Sequence, residues 1–151
     1  DAFFARFDRP EMARRWYFEE YMPDMVAILR KHYRIAPWVE TMMLELRTNG
    51  KKVVVFSDYG FVQEKLAAIG FRLEWADFLF DAPSLGGLKP CKEAFAKLCR
   101  EITLQPSECL MVGDRPDTDG AGACSVKMPF LHVKNATLNL TPNLQSINPK
   151  P

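Results

Sequence analysis

Residues 110–123 read LMVGDRPDTDGAGA: an apolar run, a glycine, then Asp114, Asp117 and Asp119 within six positions. Like charges this close raise one another's cost of ionising, so water, a basic partner or a bound cation must offset the repulsion. Asp114 and Asp119 offer hard oxygen ligands of the kind Mg²⁺ takes, one or two carboxylates with waters in the remaining positions. Asp117 is the weakest candidate ligand and is read as facing solvent. Two further residues belong to the same chemistry. Ser57 ends the run KVVVF and opens SDYG, where a hydroxyl and the N–H groups of a helix start suit a phosphoryl oxygen. Lys89, in GGLKPCKEAF, brings a point charge to the same group, and Pro90 pushes its backbone towards an extended conformation. A cation, a lysine and a hydroxyl are what phosphoryl transfer requires, because stabilising the equatorial oxygens does most of the work. Taken singly, each has an ordinary role: a serine cap, a surface Lys-Pro, an Asp-rich helix start.

What joins these residues is the order of elements around them. Apolar residues recur at helical spacing from Pro10 to about Tyr33, with Pro23 expected to break or kink the helix. The basic cluster Arg30, Lys31, His32 and Arg34 reads as a solvated helix end, where cations are favourable. Pro37 starts a second helix that Gly50 closes. Val53–Phe56 reads as a strand buried on both faces, followed by a helix over 62–69 that Gly70 ends. Phe78–Phe80 is a weaker strand, Ser84–Leu88 a loop, and Cys91–Ile102 a helix. Cys109–Val112 is a second buried strand, a small-residue helix follows, and Pro129–Val133 is a last strand. Strands alternating with helices predict an α/β fold, a Rossmann-like three-layer sandwich around a parallel sheet. Ligands in such sheets sit outside the carboxyl ends of the strands, which is where Ser57 and Asp114 lie.

Bulk properties narrow the partners. The chain of 151 residues is 48% hydrophobic and carries a net charge of +1, giving no electrostatic case for nucleic acid or an anionic membrane. No apolar run approaches the roughly 18 residues of a membrane span. Cys91, Cys99, Cys109 and Cys124 form no CxxC pair and read as reduced thiols of a cytoplasmic protein. His32 and His132 lie far apart with no cysteine beside either, which argues against zinc. GAGACS has two glycines and follows the wrong element for a dinucleotide fingerprint. A receiver domain would place its acidic cluster early and its lysine last, the reverse of the order here. The sequons at Asn135 and Asn139 are read as chance.

VVVFSDYG, GGLKPCKEAF and Gly113-Asp114 through Asp119 occur in the order and spacing of the second, third and fourth motifs of the haloacid dehalogenase-like hydrolases, which the chain resembles from about Pro37 to Val133. The resemblance implies a magnesium-dependent phosphatase acting on a small phosphorylated metabolite through an aspartyl-phosphate. It further implies that Ser57, with Asp58, binds phosphate, that Lys89 steadies the transferring group, and that Asp114 and Asp119 hold Mg²⁺. Residues 1–36 would be part of the small helical cap, 37–134 the hydrolase core and 135–151 a polar tail.

The family's first motif, DxDx(T/V) after an apolar strand, carries its nucleophile, and DAFFARFD at the start does not fit it. DTDG at Asp117–Gly120 belongs to the fourth motif. The expectation is therefore that the nucleophile lies in an upstream segment, together with the central strand of the sheet, and that this chain alone does not turn over. The alternative is a catalytically inactive phosphate-binding or interaction module. In that reading the aromatic-rich start (Phe3, Phe4, Phe7, Trp16, Tyr17, Phe18) packs against a second chain, including a homo-oligomeric partner.

Overall fold

The computed structural model describes residues 4–134; the tail expected over 135–151 and both sequons lie outside them. A long helical segment with a π-helical interruption leads. Helix α1 (Pro10–Trp16) passes through a π-helical turn, Tyr17–Tyr21, into α2 (Met22–His32). The irregularity expected at Pro23 is thus placed before it. Pro23 follows two residues later; the chain before it is already helical, so its ring and missing N–H disturb the turn four residues back, at Glu19 within the π-helical stretch. The exposed basic cluster does close α2: the Arg34 guanidinium donates to the Arg30 and Tyr33 carbonyls, each at 2.6 Å.

The remainder alternates as expected. Helix α3 (Pro37–Thr48) precedes β1 (Val54–Ser57), then α4 (Val62–Ala68), β2 (Phe78–Asp81), α5 (Lys92–Glu101), β3 (Met111–Gly113), α6 (Ala121–Ser125) and β4 (Phe130–His132). Every strand pairing is parallel. They form two two-stranded sheets, β1 with β2 and β3 with β4, and no ladder joins the two pairs among the described residues.

Helices cover both faces of the first pair, and the strand period of two sorts its side chains between them. Val54, Phe56, Phe78 and Phe80 pack on the core built around Leu85, Phe95, Leu98 and Ile102, while Val53 and Val55 join Met43, Phe71 and Trp75 on the α3–α4 side. The first of these cores also receives Met111 of β3 and Phe130 of β4, so α5 is the common wall for all four strands. Full burial of β1 and β3, expected from their continuous apolar runs, is not realised. Each residue of β1 is half-buried, and Val112 is 37% exposed. A strand gains its last burial from a neighbour along each edge, and each of these pairs is only two strands wide.

Helix α2 packs against α4 through Met22 and Val26, which brings the N-terminal segment beside the end of β1. The Phe18 and Phe61 rings meet at 6.0 Å, and Phe4, Tyr17 and Phe18 form an aromatic cluster with centroids 5.1 to 6.1 Å apart. No helix among the described residues is long and apolar enough to cross a membrane.

Candidate active site

Lys89 is the centre of the site. Its ammonium donates to Asp119 Oδ1 at 2.6 Å and to the Phe56 carbonyl at 3.4 Å, and lies 3.8 Å from Asp58 Oδ2. Its backbone N–H donates to Asp58 Oδ1 at 2.9 Å. One residue from the loop before α5 thereby ties the end of β1 to the loop after β3, the two places that sequence alone could only assign to the same edge. The side chains of Lys89 and Asp119 are 10% and 5% exposed. The peptide between Lys89 and Pro90 is cis.

The three aspartates after β3 meet their mutual repulsion in three ways. Asp119, buried in the Pro116–Gly120 turn, accepts from Lys89 and from the Arg115 backbone N–H at 3.2 Å. Asp117 is exposed and pairs in bidentate fashion with the Arg115 guanidinium, at 2.9 and 2.5 Å. That contact holds the Asp117 carboxyl below and the guanidinium above their ordinary values. Asp114 is exposed to water at the strand end. Asp117 thus faces solvent, paired with its own neighbour. Gly113 is required by this packing, because a Cβ there would overlap the Asp119 carboxylate.

Ser57 ends β1 in register with Asp81 of β2. Its Oγ accepts from the Tyr59 backbone N–H at 3.3 Å and from the Lys65 ammonium at 2.9 Å. Phe61, at the start of α4, has φ of 56°, a left-handed conformation that costs a non-glycine residue about 1 kcal/mol or more. It lets the chain turn from the strand end into α4 within four residues of Ser57. Burial pushes the Tyr17 phenol upward while the nearby Gly60 backbone draws it back down, which places the helical segment beside the Ser57 loop.

Lys65 was not visible as a site residue in the sequence. The signal that could have exposed it is its spacing: three residues after buried Val62 and four before Ile69, it lies on the inward face of α4, where a lysine needs a reason.

A model of the haloacid dehalogenase-like hydrolase domain matches residues 5–125. The chain belongs to that family. Among solved structures, a HAD phosphatase from Thermococcus onnurineus is 27% identical with a TM-score of 0.58, over 64% of this chain and 45% of that one. A predicted phosphoglycolate phosphatase from Haemophilus somnus 129PT is also 27% identical, with a TM-score of 0.58 over 64% and 43% of the two chains. A β-phosphoglucomutase from Clostridium difficile has a TM-score of 0.66 at 18% identity, over 81% and 60%; at that identity the likeness shows the fold. The haloacid dehalogenase-like chain therefore spans roughly half the length of the solved structures it matches. No curated protein matches it.

Proposed function

We propose that this haloacid dehalogenase-like hydrolase domain supplies the phosphate- and magnesium-binding side of a phosphatase site for a small phosphorylated metabolite. The observation that carries the reading is the convergence at Lys89: one ammonium reaches Asp119, the carbonyl next to Ser57 and Asp58. Ser57 donates to a phosphoryl oxygen, Lys89 balances the charge of the transferring group, and Asp58 braces the Lys89 backbone. Asp114, exposed at the strand end, and Asp119, nearly buried against Lys89, are hard oxygen donors of the kind Mg²⁺ takes. Bound there, the ion supplies neutralisation of charge on the phosphoryl oxygens.

The nucleophile is assigned to an aspartate outside these residues. It attacks phosphorus, the ester oxygen leaves with the substrate's alcohol, and water then hydrolyses the aspartyl-phosphate. Two things support this placement: no DxD follows an apolar strand in the sequence, and β1 and β3 are not joined by a ladder, leaving them free to receive a strand between them. The test is a titration of the 151-residue chain with inorganic phosphate, with and without Mg²⁺, beside an aryl phosphate assay. Binding that Ser57→Ala and Asp114→Asn weaken, without turnover, supports the reading. Absence of phosphate binding sinks it. Turnover that both substitutions abolish would place a nucleophile within the chain and overturn the assignment to an outside aspartate.

One observation favours a second reading, a module that engages another protein chain. Met12, Trp16 and Tyr21 are exposed on one side of the N-terminal helix, and the Trp16 and Tyr21 rings lie 5.1 Å apart. Light scattering of the wild type and Trp16→Ser distinguishes it: a dimer lost in the variant supports self-association, and a monomer at high concentration removes that partner.

A further inference from the structure

Lys89 is already answered by two carboxylates, but Lys65 is not. The Lys65 ammonium donates to the Ser57 hydroxyl at 2.9 Å and to the Tyr59 carbonyl at 3.0 Å, both neutral oxygens. Among the described residues no carboxylate forms an ion pair with it, whereas Lys89 has Asp119 at 2.6 Å and Asp58 at 3.8 Å. It is half-buried in the inward face of α4 and stands over the Tyr59 ring at 5.8 Å. Asp81, Asp58 and Glu64 act on Lys65 only from beyond ion-pair distance, so among the described residues it is the lysine at the carboxyl end of β1 without a direct carboxylate partner.

The bond to Ser57 has a second effect. A serine hydroxyl has two lone pairs and one proton. Lys65 and the Tyr59 N–H, at 3.3 Å, take the lone pairs. The proton is left to be donated, and the hydroxyl is set as a donor towards an acceptor-only group such as a phosphoryl oxygen. An ammonium carries three N–H donors, so after Ser57 and Tyr59 one remains for the same anion.

We infer that Lys65 is a binding residue of the phosphate site, which fixes the Ser57 hydroxyl as a donor and presents its third N–H to the same anion. This rests on the phosphatase reading and adds a second cation to the site.

Burial pushes Lys65 below its ordinary value, Asp81, Asp58 and Glu64 pull it back up, and Lys89 lowers it further. The protonated form holds the anion, so affinity is full below the Lys65 pKa and falls as pH rises through it.

The experiment is calorimetric titration of inorganic phosphate, and of sulfate as a divalent comparator that does not titrate, into wild type, Lys65→Met, Lys65→Arg and Ser57→Ala. It is run between about pH 8 and pH 10, where phosphate stays doubly ionised. Lys65→Met is expected to weaken phosphate binding about tenfold or more, the scale of one lost charge-assisted hydrogen bond. Lys65→Arg should restore most of it and remove the wild type's loss of affinity at the alkaline end. The fall with pH must appear with sulfate as well, since only the protein titrates there. Binding unchanged in Lys65→Met but lost in Ser57→Ala overturns this inference and leaves the phosphatase reading standing. Absence of binding by wild type overturns both. If Lys65→Met does not fold, the comparison of wild type with Lys65→Arg decides: equal pH profiles overturn the inference, and a profile flattened only in the arginine variant supports it.

Discussion

Replacing Lys89 by methionine should destabilise the fold more than replacing Asp119 by asparagine, although the two residues form one ion pair. The geometry sets the asymmetry. At 2.6 Å and an effective dielectric constant of about 20, the gross attraction is roughly 6 kcal/mol. Most of it is offset by the desolvation of two nearly buried groups, so the intact pair contributes little net stability. A single substitution strands the survivor. After Lys89→Met, the Asp119 carboxylate keeps only the Arg115 N–H at 3.2 Å, and breaking a buried pair in this way costs about 3–5 kcal/mol. After Asp119→Asn, Lys89 still has Asp58 at 3.8 Å, worth roughly 4 kcal/mol before desolvation at the same dielectric constant. We expect this variant to lose about 1–3 kcal/mol, below the full cost of a stranded charge. The double variant should be no worse than Lys89→Met alone, giving a coupling energy of about 1 kcal/mol or more. Urea denaturation measures all four proteins, with the m-value as the check that only stability changed. Losses additive to within about 0.5 kcal/mol, or a greater loss in Asp119→Asn than in Lys89→Met, would refute the reasoning.

Gly113→Ala puts its Cβ on the Asp119 carboxylate, with Cγ at 2.6 Å, and should cost about 1–3 kcal/mol while weakening phosphate binding; retention of both stability and binding would show the turn yields freely. Gly122→Ala drives a methyl into the Phe95 ring, with Cζ at 2.5 Å, and the overpacking of about 1–3 kcal/mol should outweigh the roughly 1 kcal/mol gain in helix propensity, as a lowered urea midpoint. Burial pushes the Cys109 thiol up to about 12 and raises neighbouring Cys99 as well, so iodoacetamide at pH 8 should label exposed Cys124 first in a mass-resolved time course. Asp117→Ala should leave the thermal midpoint and phosphate affinity unchanged, since its partner is an exposed arginine; a loss of Mg²⁺-dependent phosphate binding would restore Asp117 as a ligand.

Much of the architecture was legible in the sequence because it follows from short-range chemistry. The four strands appear where continuous apolar runs end in Ser57, Asp81, Gly113 and His132, with boundaries shifted by a residue or two. Gly113, Asp114 and Asp119 announce the loop after β3 because few other roles use a glycine against carboxylates. The joining of that loop to the end of β1 through Lys89 was readable only as a rule about strand ends; the distances that bring them together are tertiary. Three features were not legible. The break before Pro23 was marked by the proline, but its form, a π-turn over Tyr17–Tyr21, was not. The half-exposure of β1 and β3 depends on what lies along each strand edge, which an apolar run does not record. Lys65 lay hidden because VQEKLAA reads as an ordinary amphipathic helix until its inward position is counted.

Helix α5 has a consequence for how the molecule fluctuates. Its Phe95 ring touches Phe56 edge-on at 5.3 Å and also fills the space that Gly122 leaves open. The same apolar cluster takes side chains from both strand pairs. With no ladder between β1 and β3, that helix is the keel to which the two pairs are fastened, with the Lys89 bridge at the strand ends as the second tie. Amides of either pair should open by local breathing without disturbing the other, while loosening Phe95 should release both at once. The cooperativity of unfolding then leans on one buried aromatic ring, and deuterium uptake in Phe95→Leu would register it as a simultaneous loss of protection on both sides.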